Sequence, residues 1–389
     1  MTTTVNNEHK NIKVPNLRFP EFQGEWEKCK LSEICTFFSG GTPSSSNKDF
    51  YGGNIAFIRS GELHADSTEL FITQAGFDSS SAKMVEVGDL LLAMYGATSG
   101  DIAVSKIKGA INQAILCIRT KQNKKFIESV WNKHVSKNLR KYLQGGQGNL
   151  SADIVKGISF FFPTLKEQEK IANLVSLLDE RIATQNKIIE DLKKLKSAII
   201  EKLYSEIQGK EYSYRQLFDV VNERNKQMEY SNILSASQEK GMINRDDLNL
   251  DIQFERSNIN TYKIVRAGDY VIHLRSFQGG FAFSDKSGVC SPAYTILRPN
   301  SFLEYSYLSN YFTSQRFIKS LIIVTYGIRD GRSINVDEWL SMKITIPSKE
   351  HQQYIVKIIG SFDRKIESEE AYTILLSKQK QYILRQMFI

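Results

Sequence analysis

The chain is poor in the residues that mark enzymes and secreted proteins. Its four cysteines, Cys29, Cys35, Cys117 and Cys290, have no metal-ligand spacing and build no disulfide framework. Reduced thiols in a cytoplasmic protein are therefore expected. The five histidines, His9, His64, His134, His273 and His351, are scattered and suggest no metal cluster. The seven prolines never stand side by side, which excludes the Asn/Asp-Pro-Pro-aromatic site of amino-methylating enzymes. There is no G-x-x-x-x-G-K-[ST] phosphate loop and no G-x-S-x-G elbow, and Gly145-Gly146-Gln147-Gly148 is a turn candidate that completes no dinucleotide fingerprint. Acid-x-lysine triplets fall only at Glu8–Lys10, Asp191–Lys193 and Asp363–Lys365, in the tail and in helical stretches, which argues against a nuclease centre. The longest apolar runs, such as Ile158–Phe162 and Leu321–Val324, are far too short to span a membrane, and Met1–Lys10 is polar with no hydrophobic signal region. Charge of one sign is also scarce. The net charge is +8, and residues 24–157 carry 16 basic against 13 acidic side chains, residues 205–345 carry 17 against 16. A polyanion-binding face would have to come from local clustering.

What the chain does have is a stretch of about forty residues written twice. Pro163, Gln168, Ile171, Asp179, Ile182, Leu192 and Ile199 recur as Pro347, Gln352, Ile355, Asp363, Ile366, Leu376 and Ile383, always 184 positions later. In the first copy Ile171, Val175, Leu178, Ile182, Gln185, Ile189, Leu192, Lys196, Ile199 and Leu203 alternate in steps of four and three. The second copy repeats this with Ile355, Ile359, Phe362, Ile366, Glu369, Thr373, Leu376, Lys380, Ile383 and Met387. That is the seam of a coiled coil. A helix of about forty residues is roughly 60 Å long at 1.5 Å per residue and needs a partner stripe. The other copy is the expected partner, running antiparallel about a pseudo-two-fold axis, with Gln185 and Glu369 meeting near the middle. The chain thus divides into a tail (1–22), a globular segment (23–165), a spacer helix (166–206), a second globular segment (207–348) and a second spacer helix (349–389).

The globular segments diverge but keep landmarks. Trp26 and Leu31 correspond to Tyr212 and Leu217, Gly88-Asp89 to Gly268-Asp269, and Ala114–Arg119 to Ala293–Arg298. A helix is expected over Phe126–Leu143 in one half and Phe302–Leu321 in the other. The fold class is mixed α and β. Several polar loops have the chemistry to touch DNA. In the first half these are Ser39, Gly40, Gly41, Thr42 and Ser44; Arg59; Tyr95, Thr98 and Ser99; Lys106, Lys108, Asn112 and Gln113; and Gln147 with Asn149. In the second half they are Gln238, Lys240, Arg275, Ser276, Gln278, Lys286, Arg329 and Arg332. Small loops bring backbone N–H groups to phosphate, arginine reads guanine, and Gln or Asn reads adenine. The loops carry weight because they occur in both halves.

This architecture resembles the specificity subunit of type I restriction–modification enzymes. The resemblance rests on the globular–helix–globular–helix order and the Pro-x(4)-Gln-x(2)-Ile step at Pro163 and Pro347. Gly40-Gly41-Thr42-Pro43 and the segment Pro15–Pro20 ahead of Trp26 add to it. It implies two target-recognition domains, each reading half of a split, asymmetric site in double-stranded DNA, and a helical pair that sets the gap. It also implies two methyltransferase subunits docked on the helices and two restriction–translocase subunits outside them. S-adenosylmethionine would sit on the methyltransferase, ATP and Mg²⁺ on the motor, and no catalytic centre on this chain. Charge differences between the copies (Glu180 against Arg364, Glu167 against His351) leave open whether the two docking faces are equivalent. Competing readings are a coiled-coil scaffold with protein-binding globular ends, or a hydrolase built on the loops around Gly96 or Gly146.

Overall fold

The computed structural model describes residues 13–142, 150–237, 240–247, 256–273, 280–326 and 333–389. The chain forms two compact units, Met1–Gln185 with Tyr372–Ile389, and Asn186–Ala371. Two long helices, Leu165–Ser205 and Lys349–Met387, each contribute to both units. All twenty seam positions are buried or half-buried, while Leu177, Ile188, Leu195, Tyr354, Leu375 and Tyr382 point their apolar groups at solvent. The helices pack antiparallel within each unit. In the first, Asp179 pairs with Lys380 and Arg181 with Tyr372; in the second, Lys193 pairs with Glu370 at 2.7 Å and Lys196 with Asp363.

The glutamine of the repeated motif fastens each helix to its globular segment. Gln168 Nε2 donates to the Pro163 carbonyl (2.9 Å) while its Oε1 accepts from the Asn123 amide (3.1 Å). Gln352 repeats this with the Pro347 carbonyl (3.0 Å) and the Glu304 amide (2.7 Å). Both side chains are buried, so their bonds satisfy groups that water cannot reach.

Each globular segment is built on the same four-stranded antiparallel sheet. In the first unit the strand order is Cys35–Ser39, Ile115–Thr120, Leu90–Ala93, Ile102–Val104; in the second it is Phe218–Val221, Thr295–Pro299, Tyr270–Ile272, Phe281–Phe283. The turn before the third-ordered strand is held alike in both. Asp89 and Asp269 are buried, accept from their own turn amides (Glu86 3.1 Å, Arg266 2.9 Å), and are gripped by Arg119 and Arg298 from the adjacent strand. Cys117 lies in the first of these sheets and Cys290 in the strand Gly288–Cys290, which pairs with Lys263–Val265, and burial pushes the pKa of each thiol up to about 12. The first core packs Trp26, Phe126, Trp131 and Phe160 against Ile171, Val175, Met387 and Phe388; the second packs Tyr270, Phe281, Phe312 and Trp339 against Ile200, Tyr204, Ile355 and Ile359.

Two expectations need correction. The leading strands begin at Glu27 and Lys210, and the Leu31 amide donates to the Ile158 carbonyl as the Tyr214 amide donates to that of Met342. Leu31 therefore corresponds to Tyr214, three residues from the register read in the sequence. The first half has its helix, Lys124–Tyr142, but the second breaks into a 3-10 turn at Tyr311–Thr313, a helix at Gln315–Ser320 and a 3-10 turn at Leu321–Val324. Hydroxyl groups compete for the backbone there. Ser309 donates to the Ser306 carbonyl, Thr313 to that of Asn310, and Ser314 caps the short helix.

Candidate nucleic-acid interface

In the first unit several candidate loops meet at one end of the sheets. Gly40 passes so close to Gly109–Ile111 that a Cβ would lie 1.7 Å from the Ile111 carbonyl oxygen, and a Cβ on Gly41 would lie 2.7 Å from that of Ser81. Only glycine fits there. The Gly40 amide donates to the Asn112 carbonyl (3.2 Å), and Thr42 Oγ1 donates to Gln113 Oε1 (2.8 Å). Asn112 Oδ1 accepts from the Ala114 amide (3.0 Å), and the Ala114 carbonyl accepts from Met94 (2.8 Å), which brings up the loop of Tyr95, Thr98 and Ser99. Arg59 reaches the same end because Tyr51–Ile58 runs parallel to Gly109–Ile111, with Ile58 opposite Ile111. Ser39 ends its strand opposite Leu116, and Ser44 shares a hydrogen bond with Ser46 (2.7 Å). Ser39, Thr42, Ser44, Arg59, Tyr95 and Gln113 are exposed, while Gly40, Gly41, Thr98, Ser99 and Asn112 are half-buried.

Lys106 and Lys108 lie elsewhere. Ser105 exchanges backbone hydrogen bonds with the Gly88-Asp89 turn, which places both lysines at the opposite end of Leu90–Ala93 from Tyr95. Lys286 occupies the like turn of the second unit, since Ser284 bonds in the same way to Gly268 and Asp269. The basic candidates of the first unit are paired with carboxylates: Arg59 with Glu62 (2.6 Å), Lys106 with Asp66 (2.7 Å), Lys108 with Glu86 (3.1 Å). The Arg59 hydrogen bond holds the Glu62 carboxyl below its ordinary range despite partial burial. Such surface pairs are worth about 0–1 kcal/mol, so a phosphate or base edge can displace the carboxylate at little cost.

In the second unit Lys240 is exposed in the turn of the hairpin Leu234–Ser237/Gly241–Asn244, its amide donating to Ser237 Oγ (3.3 Å). Gln147, Asn149, Gln238, Arg275, Ser276, Gln278, Arg329 and Arg332 lie outside the described residues. Sequence reasoning missed several groups at the same strand ends. His64 Nε2 meets Asp101 Oδ1 at 2.9 Å beside the Tyr95 loop, two residues that lie 37 positions apart with no motif linking them. In the second unit the His273 ring lies 6.0 Å from that of Tyr294, Lys263 Nζ donates to the Tyr294 carbonyl (2.7 Å), and Arg245 Nε donates to Ser235 Oγ (3.1 Å). Burial lowers the pKa of both His273 and Lys263. The position of His273 at the end of a strand that follows a Gly-Asp turn was the one available signal. Among the described residues no group of three or more His, Cys, Asp or Glu could hold a metal ion, and no helix is long and apolar enough to cross a membrane.

One sheet built twice, each copy joined to a long helix and the first carrying a rim of polar loops, is a frame that presents polar groups at its strand ends. The chain matches the family described as "Type I restriction modification DNA specificity domain" over residues 23–194 and 209–376, and it belongs to that family as a non-catalytic DNA specificity subunit of a type I restriction–modification system. It is 24% identical over 408 residues to the putative type I restriction enzyme MjaX specificity subunit of Methanocaldococcus jannaschii, covering 94% of this chain and 93% of that protein. It is 28% identical over 187 residues to the EcoR124I/EcoR124II specificity subunit of Escherichia coli, 45% of each chain. The fold is similar to the crystal structure of a type I restriction–modification S subunit from M. genitalium, with TM-score 0.55 and 14% identity over 97% of this chain and 99% of that one.

Proposed function

We propose that the two globular segments, residues 23–165 and 207–348, each read one half of a bipartite, asymmetric site in double-stranded DNA. The helices, 166–206 and 349–389, set the gap between the half-sites and dock two methyltransferase subunits. The observation that carries this reading is the occurrence, twice, of one sheet with polar groups at its strand ends followed by a long helix. The exposed apolar groups on the helices, among them Leu177, Leu195, Leu375 and Tyr382, are surface for protein partners to cover. In the first unit, Thr42, Arg59, Tyr95, Asn112 and Gln113 are the groups assigned to the half-site in this reading. Phosphate contacts supply affinity and its salt dependence, and base-edge contacts supply sequence. S-adenosylmethionine belongs to the methyltransferase, ATP and Mg²⁺ to two restriction–translocase subunits carried outside it. The complex works in the cytoplasm.

Modified-base sequencing of cellular DNA, with and without this gene and with the cognate methyltransferase present, tests the reading. A split adenine-methylated motif that depends on the gene is the expected result. A stable complex that yields no motif would return the chain to the scaffold reading.

A further inference from the structure

The internal repeat gives each position in one unit a counterpart in the other, and one counterpart is missing. Gln168 takes the Asn123 amide as Gln352 takes that of Glu304, so Asn123 corresponds to Glu304. The correspondence continues inward. Phe126 packs on Phe388 (5.2 Å) as Tyr307 packs on Tyr204 (5.6 Å), 184 residues before Phe388. Lys125 therefore corresponds to Ser306, and Glu128 to Ser309. In the first unit Lys125 fills the space beside the helix, its ammonium bridging Glu128 (2.6 Å) and Asp179 (3.0 Å), while Lys380 takes the other oxygen of Asp179. In the second unit Lys196 holds Asp363 as Lys380 holds Asp179, but no second cation is paired with Asp363 among the described residues. Where the Lys125 side chain would lie there is a cavity of about 230 Å³, lined by Ser306, Ser309, Asn310, Tyr204, Gly360 and Asp363. Gly360 stands where the first helix has Ser176, which widens the space.

We propose that this cavity is a socket for a lysine or arginine side chain of the methyltransferase subunit that docks along the second long helix; the inference rests on the docking reading above. Asp363 offers the acceptor oxygen that Asp179 gives to Lys125, and the hydroxyls of Ser306 and Ser309 with the Asn310 amide line the approach. A hydrogen bond to a charged group changes affinity by roughly ten- to hundred-fold. That holds a free amine only weakly, but it adds to an interface whose association cost is already met. Arg364 lies at the lip, its guanidinium 3.5 Å from where a Cβ on Gly360 would sit, and it opposes an incoming cation. The two docking faces are then unequal: one carries its own ammonium, and the other receives it.

The test uses the full chain and its cognate methyltransferase, with affinity for each docked copy measured by calorimetry. Ser306→Lys supplies the ammonium from within and should weaken the copy on the second helix about tenfold; because Ser306 holds a left-handed backbone (φ +61°), the variant's melting temperature is measured alongside. Arg364→Glu, which restores the charge of Glu180 on the first helix, should strengthen the same copy. If Ser306→Lys proves unstable, Asp363→Asn carries the test, with Asp179→Asn as the control that leaves docking unchanged. A wild-type complex that these variants match would overturn the socket alone. No wild-type complex at all would overturn the docking reading and the socket with it. Stabilisation by n-butylammonium chloride that Ser306→Lys abolishes, with docking unchanged, would overturn the partner assignment in favour of a free amine.

Discussion

Asp89 shows how a single carboxylate serves the fold on which the candidate loops stand. Burial favours its neutral form, but the Arg119 guanidinium, the Glu86 amide and the Lys124 ammonium outweigh this and hold the carboxyl below its ordinary range. Its stabilisation is complete above the unfolded carboxyl value of about 3.9 and is lost as pH falls through the lower folded value. Asp89→Asn should cost about 1–3 kcal/mol at neutral pH, because Arg119 loses an ionised acceptor. Thermal melts from pH 7 to pH 3 should show the wild-type and variant curves converging at the acid end; parallel curves would refute the assignment. Gly40 is the second residue with a sharp consequence. Gly40→Ala must push the loop off the Ile111 carbonyl, at about 1–3 kcal/mol. In the assembled complex it should alter methylation at the half-site read by the first unit and leave the other half-site unchanged, as modified-base sequencing would reveal.

The helices were legible because their period is local: the four-three steps from Ile171 to Leu203 and from Ile355 to Met387 require no knowledge of the partner. Gln168 and Gln352 were visible as a motif, yet their role was not, since each joins its own proline to a backbone amide some 45 residues away. Gln168→Leu or Gln352→Leu should each cost about 1–3 kcal/mol, because the proline carbonyl and the part-buried amide that the glutamine joins both lose this partner, readable from denaturant unfolding midpoints. The globular segments were harder. Leu31 was aligned to Leu217 by residue type, whereas backbone pairing sets it against Tyr214. The second half's helix was expected as the counterpart of the first, and the hydroxyl groups of Ser309, Thr313 and Ser314 broke it. The candidate rim was half legible. Gly-Gly-Thr-Pro marks a close approach in any setting, but Arg59 joins Asn112 only through a parallel strand pairing, and Lys106 leaves the group through a hairpin.

At the scale of the molecule, the proposed spacer role of the paired helices makes a quantitative demand. Inserting four residues, about one turn or 6 Å of rise, into both helices should lengthen the methylated motif's central gap and leave both half-sites intact. A change in the half-sites themselves would sink the spacer reading. The makeup of the first core also bears on how the chain is born. Met387 and Phe388 are buried in it beside Trp26 and Phe126, whereas the second unit is closed by Ile200 and Tyr204, residues already at hand. Chains usually complete their N-terminal domain first during synthesis. Here the internal unit, Asn186–Ala371, has all its residues before the first does. At 5–20 residues per second the first unit waits on the order of 10–40 s, from Gln185 to Phe388, for its last core side chains. Truncation after Ala371 should therefore leave the second unit protected from protease and the first open to it, and for that interval each nascent chain passes through the same half-finished state.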